Sequence, residues 1–185
     1  MLKGCATTRW NPTSAASAAP AAATHFGRRR LPLALVLLAL SGWALPACGS
    51  HEFDDVREYK LFLEKAKPSL TAMNKAREDL YQVNDPEQML PLFRDGLLPQ
   101  IESLNKLAGD EKMPAGKLGD IHQNLQGTLS RYVESTKRLV ERLKSVKEDD
   151  REQAIVMWGE DDQKFGKQMS SLVNDLSAYL NELKK

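Results

Sequence analysis

The chain has 185 residues, and its net charge of +1 hides a strong asymmetry. The first acidic residue is Glu52, so the five basic residues before position 48 stand without any acid, and 21 basic against 25 acidic residues follow, a net charge of −4. This mildly acidic remainder gives no electrostatic reason to bind nucleic acid. Cys5 and Cys48 are the two cysteines, which excludes a disulfide framework or a thiolate metal site after removal of residues 1–47.

Residues 27–48 have the three parts of a secretory signal. A basic stretch at 28–30 precedes an apolar run at 31–40, and small residues lead from there to Cys48. The apolar stretch is short for a membrane span, which needs roughly 20 residues, so we expect the segment to be cleaved. The acid-free composition of residues 1–30 also suits an organelle transit peptide, which the long apolar run fits poorly.

The end of this segment resembles the lipobox of bacterial lipoproteins. Leu45, Ala47 and Cys48 stand at the −3, −1 and +1 positions, while Pro46 departs from the usual small or β-branched residue. The resemblance implies cleavage after Ala47 and acylation of Cys48 on its sulfur and its new amino terminus. Because each buried methylene contributes about 0.8 kcal/mol, up to three chains would hold the protein permanently on a membrane. Gly49 is not the aspartate of inner-membrane retention, which favours the periplasmic face of the outer membrane in a Gram-negative cell.

Beyond a short tether at residues 48–51, apolar residues recur at three- and four-residue spacings, which predicts amphipathic helices. Four such stripes cover residues 52–185, and nothing there predicts a strand. Because short polar loops separate the stripes, we predict an all-α fold, an antiparallel up-down-up-down four-helix bundle. The inward positions are Val56, Tyr59, Leu63, Ala66, Leu70, Met73, Ala76, Leu80 and Val83, then Leu90, Phe93, Leu97, Ile101 and Leu104, then Leu118, Ile121, Leu125, Leu129, Tyr132, Thr136, Leu139, Leu143 and Val146, and finally Ile155, Trp158, Phe165, Met169, Leu172, Leu176, Tyr179 and Leu183.

Several residues predict where these helices bend, begin and end. Pro68 lies inside the first stripe, where it removes a backbone donor and predicts a kink. Asp85 can cap the second helix, with Gln88 completing a capping box, and residues 150–153 repeat that spacing before the fourth helix. Two prolines and a glycine at positions 91, 96 and 99 make the second helix the least regular, and the composition of 109–116 predicts a loop.

The tether fixes an expected orientation, because the first helix must start close to the lipid surface. Alternating helix directions would then place the 109–116 loop and the tail Lys184-Lys185 near the membrane, where lysines can meet anionic headgroups. The distal end would carry the acidic residues of the two other turns, which are Asp85, Glu87, Glu148, Asp149, Asp150 and Glu152.

The part after Cys48 lacks the residue patterns of common bundle chemistry, so we predict no catalytic, cofactor-binding or metal-binding residues. No Glu-x-x-His pair for a di-iron site and no Cys-x-x-Cys-His for covalent haem occur. His122 neighbours the core residue Ile121 and is expected at the boundary or surface. Met73 and Met169 are expected as core filler. The acidic runs, including residues 160–162, are expected on solvated faces.

These observations predict a lipid-anchored, non-enzymatic protein with a scaffold or interaction role at the cell envelope. Its expected partners are the membrane, through Cys48, and a protein of unknown identity. The alternative is a periplasmic sensor or small-ligand-binding bundle with a pocket near Trp158 and Phe165, where Gly159 and Gly166 would leave one side of the fourth helix thin. A dry, fully packed core would count against that alternative, and a cavity of drug-like volume lined by these aromatic residues would favour it.

Overall fold

The computed structural model describes residues 51–83, 85–113, 115–145 and 147–183, and for 51–53 only the backbone. These residues are all-helical, without a strand, as the sequence predicts. The helices are α1 (His51–Leu80), α2 (Pro86–Pro91, Leu92–Leu97 and Leu98–Asp110), α3 (Lys117–Leu143) and α4 (Glu148–Glu182). Helix α2 is continuous although it has three segments, because the residues at both junctions keep right-handed helical backbone angles.

Prolines affect the first two helices differently. Helix α1 continues through Pro68, the expected kink position, without interruption. Within α2 the segment Leu92–Leu97 is a π-helical turn, and it ends with the Leu98 amide donating to the Phe93 carbonyl five residues back. In a regular α-helix the Pro99 ring would clash with the carbonyl of Asp95. The wider π turn directly before Pro99 relieves that clash, which accounts for the irregularity that the sequence predicts here.

The predicted N-cap residue is confirmed for α2 and wrong for α4. Asp85 caps α2 by accepting from the Glu87 amide at 2.9 Å, and the Gln88 amide group donates to the same carboxylate at 2.9 Å. Gln88 therefore holds the cap through its side-chain donor rather than by accepting from the backbone. Helix α4 begins at Glu148 with Lys147 as its cap, so Asp150 lies in the first turn and is not the N-cap.

The helices pack as a bundle around a continuous core that contains most of the predicted inward positions. Six predicted inward positions are only half-buried, and Val146 lies outside the described residues. The half-buried ones are Ala76, Val83, Leu90, Leu125, Ile155 and Leu183. Close backbone contacts join α1 to α2, α2 to α3 and α3 to α4, whereas the backbones of α1 and α4 stay farther apart. We call this fourth contact, between the first and last helices, the α1–α4 seam. Among the described residues, no helix is both long and apolar enough to cross a membrane.

Candidate functional site

The predicted lipid-attachment site lies outside the described residues. Cys48, the preceding residues that resemble a lipobox and the tail Lys184-Lys185 are therefore known from sequence alone. The structure describes the chain from His51, where α1 begins.

The most unusual polar feature of the bundle is a buried ion pair between α1 and α4. Arg77 donates to Asp162 through two parallel bonds, Nε to Oδ1 at 2.9 Å and Nη2 to Oδ2 at 2.6 Å. The hydroxyl groups of Tyr81 and Tyr132 donate to the same carboxylate, so Asp162 accepts four hydrogen bonds while only 2% exposed. A carboxylate satisfied in this way can stay ionised in the core. We refer to these four residues as the Asp162 network.

The surroundings shift the pKa values of the donors in this network. For Arg77, burial alone would lower the pKa, but Tyr132 and Asp162 outweigh burial and raise it, so the guanidinium stays charged. Burial and the nearby Asp162 carboxylate both raise the pKa of the Tyr132 hydroxyl well above its usual value. The pKa of Tyr81 is raised by the same two causes. The tyrosines are therefore neutral donors at physiological pH, as the geometry requires.

Aromatic rings surround the network and account for Trp158 and Phe165. Phe165 stacks on Tyr132 with ring centroids 4.0 Å apart, and the Arg77 guanidinium carbon lies 5.9 Å from the Phe165 centroid. Trp158 packs edge-on against Phe93 at 4.6 Å, and its indole N–H donates to a buried threonine, Thr136, at 3.3 Å. Both rings of the predicted ligand pocket are therefore enclosed by protein groups.

A cavity lies elsewhere in the core, toward the beginning of α1 and the end of α4. Its volume is about 50 Å³, well below the roughly 300 Å³ at which pockets for drug-sized ligands begin. Its lining is apolar, and neither Trp158 nor Phe165 belongs to it. Residues from both sides of the α1–α4 seam line it, among them Ala66 and Leu70 of α1 and Met169 and Val173 of α4.

His122 corrects an expectation, because the structure buries it rather than leaving it at the boundary. Its Nε2 donates to the Ala108 carbonyl at 2.8 Å, and its ring packs edge-on against Phe62 and Tyr59 at 4.9 and 5.9 Å. Ala108 lies in the last turn of α2, where carbonyls lack intrahelical donors. His122 therefore caps the carboxyl end of α2. Its Nδ1 is buried without a hydrogen-bond partner.

Asp162 corrects a second expectation, since it belongs to the core while its neighbours Glu160 and Asp161 are not buried. The sequence contains a signal for this placement. Trp158 and Phe165 are seven residues apart, and a continuous helical stripe needs a member between them, at position 162. The charge of Asp162 hides that periodicity, and Arg77 in α1 gives no comparable signal.

The acidic end predicted for the bundle is partly neutralised by an arginine. Arg151 contacts Glu87 at 3.1 Å and donates to the Ser145 carbonyl at 2.6 Å, which joins the turn before α4 to the start of α2. Glu148, Asp149 and Asp150 remain exposed in the first turn of α4, where the helix dipole favours negative charge.

In the described part of the chain, no three His, Cys, Asp or Glu side chains converge as a metal site would require. Comparison of the chain with protein-family models, with curated proteins and with solved structures gave no match. The Asp162 network can therefore be interpreted only from its own geometry. Its carboxylate accepts from four protein donors, so the network holds α1, α3 and α4 in fixed positions relative to one another.

Proposed function

We propose that this protein is an exported bacterial lipoprotein, cut after Ala47 and held on a membrane by acyl chains on Cys48. Its helical bundle would serve a non-enzymatic scaffold or interaction role at the cell envelope. The observation that carries the proposal is the order of residue types over 28–48, which runs from basic to apolar to small and then to cysteine.

We further propose that the bundle has the up-down-up-down topology. Two contacts between α1 and α2 support it, because Lys65 contacts Glu111 and Ser69 contacts Ser103. The residue numbers rise along α1 while those of their partners fall along α2, as in an antiparallel pair. Helices α3 and α4 are antiparallel by the same reasoning. Lys117 at the start of α3 contacts Glu182 at the end of α4 at 2.6 Å, and Tyr132 later in α3 stacks on Phe165 earlier in α4.

This topology supports an orientation on the membrane. The first half of α1, the 111–116 loop and the end of α4 would share the lipid-facing end. The Lys117–Glu182 ion pair joins the start of α3 to the end of α4, and the Lys65–Glu111 ion pair joins the end of α2 to the middle of α1, from which α1 continues back to His51. The opposite end, with Glu148, Asp149 and Asp150, would face away from the membrane. That end is the part of the bundle best placed to reach a protein partner.

The lipidation proposal can be tested with the two cysteines of the chain. The full sequence would be expressed in a Gram-negative host supplied with labelled palmitate, as wild type, Cys48→Ser and the control Cys5→Ser. Wild type and Cys5→Ser should carry the label and stay with the membrane until detergent is added, whereas Cys48→Ser should carry no label. An unmodified amino terminus in the mass spectrum of the mature wild-type protein would refute lipidation.

The scaffold role needs a separate experiment. Chemical cross-linking on native membranes, followed by purification of the lipidated form, should recover a defined envelope protein. A variant with Glu148, Asp149 and Asp150 changed to Ser tests the exposed end and should lose that partner while keeping its membrane attachment. Recovery of no protein above the level of an unrelated lipoprotein would contradict the interaction role.

A further inference from the structure

We propose that the bundle opens along the α1–α4 seam and that the Asp162 network is the clasp that keeps this seam closed. The proposal concerns the bundle alone and does not depend on lipidation. It rests on three features, which are the separation of the two backbones, a cavity that both helices help to line, and hydrogen bonds between them that are concentrated at Asp162.

The first feature is the spacing of the helices. Three of the four neighbouring pairs make close backbone contacts, and the pair α1 and α4 does not. Large side chains such as Phe62 and Met169 fill the space between these two helices instead. A contact made through the ends of long side chains loses less packing on separation than a close backbone approach.

The second feature is the cavity of about 50 Å³, nine of whose thirteen lining residues belong to α1 and α4, with one from α2 and three from α3. Atoms that face a void lack contact partners on that side, so the seam gains less from dispersion than a filled interface does. Of the lining residues, Leu125 and Val173 are half-buried and the others are buried. The seam is therefore the neighbouring contact without a close backbone approach, and the cavity leaves part of its side-chain packing incomplete.

The third feature is the position of the hydrogen bonds that join α1 and the turn after it to α4. Arg77 near the end of α1 and Tyr81 just beyond it both bind Asp162 on α4. Seven residues separate Arg77 from Leu70 and Asp162 from Met169, so the clasp lies roughly 10 Å along the seam from the cavity. Because a charged, hydrogen-bonded carboxylate is costly to leave unpaired in the core, each lost donor favours the open seam.

Thiol labelling measures this opening directly. In the full chain with Cys5→Ser and Cys48→Ser, an introduced cysteine is the only thiol. Ala66→Cys places it at the seam, and Ala108→Cys places it between α2 and α3, at positions that are 2% and 1% exposed. At matched stability in urea unfolding, we expect the thiol at position 66 to react about tenfold faster or more, because local openings are cheaper than global unfolding.

The clasp is tested by adding Tyr81→Phe to both reporters. Loss of one hydrogen bond to the Asp162 carboxylate should accelerate labelling at position 66 by about tenfold or more and leave position 108 nearly unchanged. Ser69→Ala is the matched control, since it removes an α1 hydrogen bond that reaches α2, to Ser103 at 3.2 Å. The control should change neither rate.

Two results would overturn the proposal. Equal labelling at positions 66 and 108 in the parent chain would show that the seam is no weaker than the α2–α3 contact. Equal acceleration of both reporters by Tyr81→Phe would show that the network acts on global stability alone. If Ala66→Cys impairs folding, Met169→Cys reports on the α4 side of the same cavity and is compared with Ala108→Cys in the same way.

Discussion

Arg77 and Asp162 are 85 residues apart in the chain and meet in the core through two parallel hydrogen bonds of 2.9 and 2.6 Å. The pair joins the end of α1 to the middle of α4. Removing two charges from water costs about as much as their mutual attraction returns, so an intact pair adds little net stability, whereas loss of one partner leaves a buried charge and is strongly destabilising. The two tyrosine hydroxyls complete the carboxylate's hydrogen bonds and reduce that cost.

We predict that Asp162→Asn destabilises the bundle by about 3–5 kcal/mol, because it leaves the Arg77 charge buried without its counter-ion. Urea unfolding followed by circular dichroism measures the change. Asp161→Asn is the adjacent control. Asp161 pairs with Lys164 at 3.2 Å on the surface, so its loss should cost at most about 1 kcal/mol. Similar costs for the two variants would contradict the buried ion pair.

Alkaline pH should also destabilise the fold. Burial raises the pKa values of Tyr59 and Tyr132 above the usual 10.0. Above pH 10 the unfolded chain releases these protons while the folded chain retains them. The free energy of unfolding is therefore highest below pH 10 with respect to these tyrosines and falls as the pH rises above it. Each such tyrosine contributes a slope of about 1.4 kcal/mol per pH unit in that range. Urea unfolding on either side of pH 10 measures it, and Tyr59→Phe should show a smaller loss than wild type.

His122→Phe tests the histidine cap on α2. The phenyl ring keeps the aromatic contacts with Tyr59 and Phe62 but cannot donate to the Ala108 carbonyl. We expect a loss of about 1–3 kcal/mol in unfolding free energy, the cost of an unpaired buried acceptor. Hydrogen exchange should also increase in the last turn of α2 relative to the middle of α3. Unchanged protection in that turn would show that the carbonyl needs no histidine.

Two glycines should respond in opposite directions to alanine. Gly116 precedes α3 with φ +123° and ψ −167°, a region open essentially to glycine alone, so Gly116→Ala should cost about 1–3 kcal/mol. A Cβ at Gly96 would lie 3.8 Å from the Cβ of Ala76, an ordinary contact, so Gly96→Ala should stabilise α2 by about 0.5–1 kcal/mol. Thermal unfolding of both variants gives the signs, and a stabilising Gly116→Ala would contradict the backbone geometry.

The helical stripes were predictable because their spacing is a local property of the sequence. Asp85 was equally clear, since capping depends on neighbours within one turn. For the π-helical turn, the sequence predicted only that the second helix would be irregular, and not the form of the irregularity. Prolines 91 and 99 show that α2 is disturbed, but whether the helix breaks or widens depends on the packing of Phe93 and Leu97 against the other helices.

The Asp162 network was not predictable from the sequence, because its parts come from three helices and the turn after α1. A charged residue such as Asp162 is usually solvated, and it is buried here because Arg77, Tyr81 and Tyr132 all donate to its carboxylate. His122 was misplaced for the same reason, since its acceptor is a backbone carbonyl of another helix. Periodicity marks position 162 as inward, but it does not show which residue of another helix pairs with a buried polar group.

The indole of Trp158 has a practical consequence. The sequence contains three tryptophans, and two of them, Trp10 and Trp43, precede Cys48. A mature chain cut at that cysteine would hold one intrinsic fluorophore, wedged against Phe93 and facing Tyr132 at 6.4 Å. Its emission would report on the surroundings of the buried carboxylate without an added dye, in the detergent-solubilised protein as well as on the intact membrane.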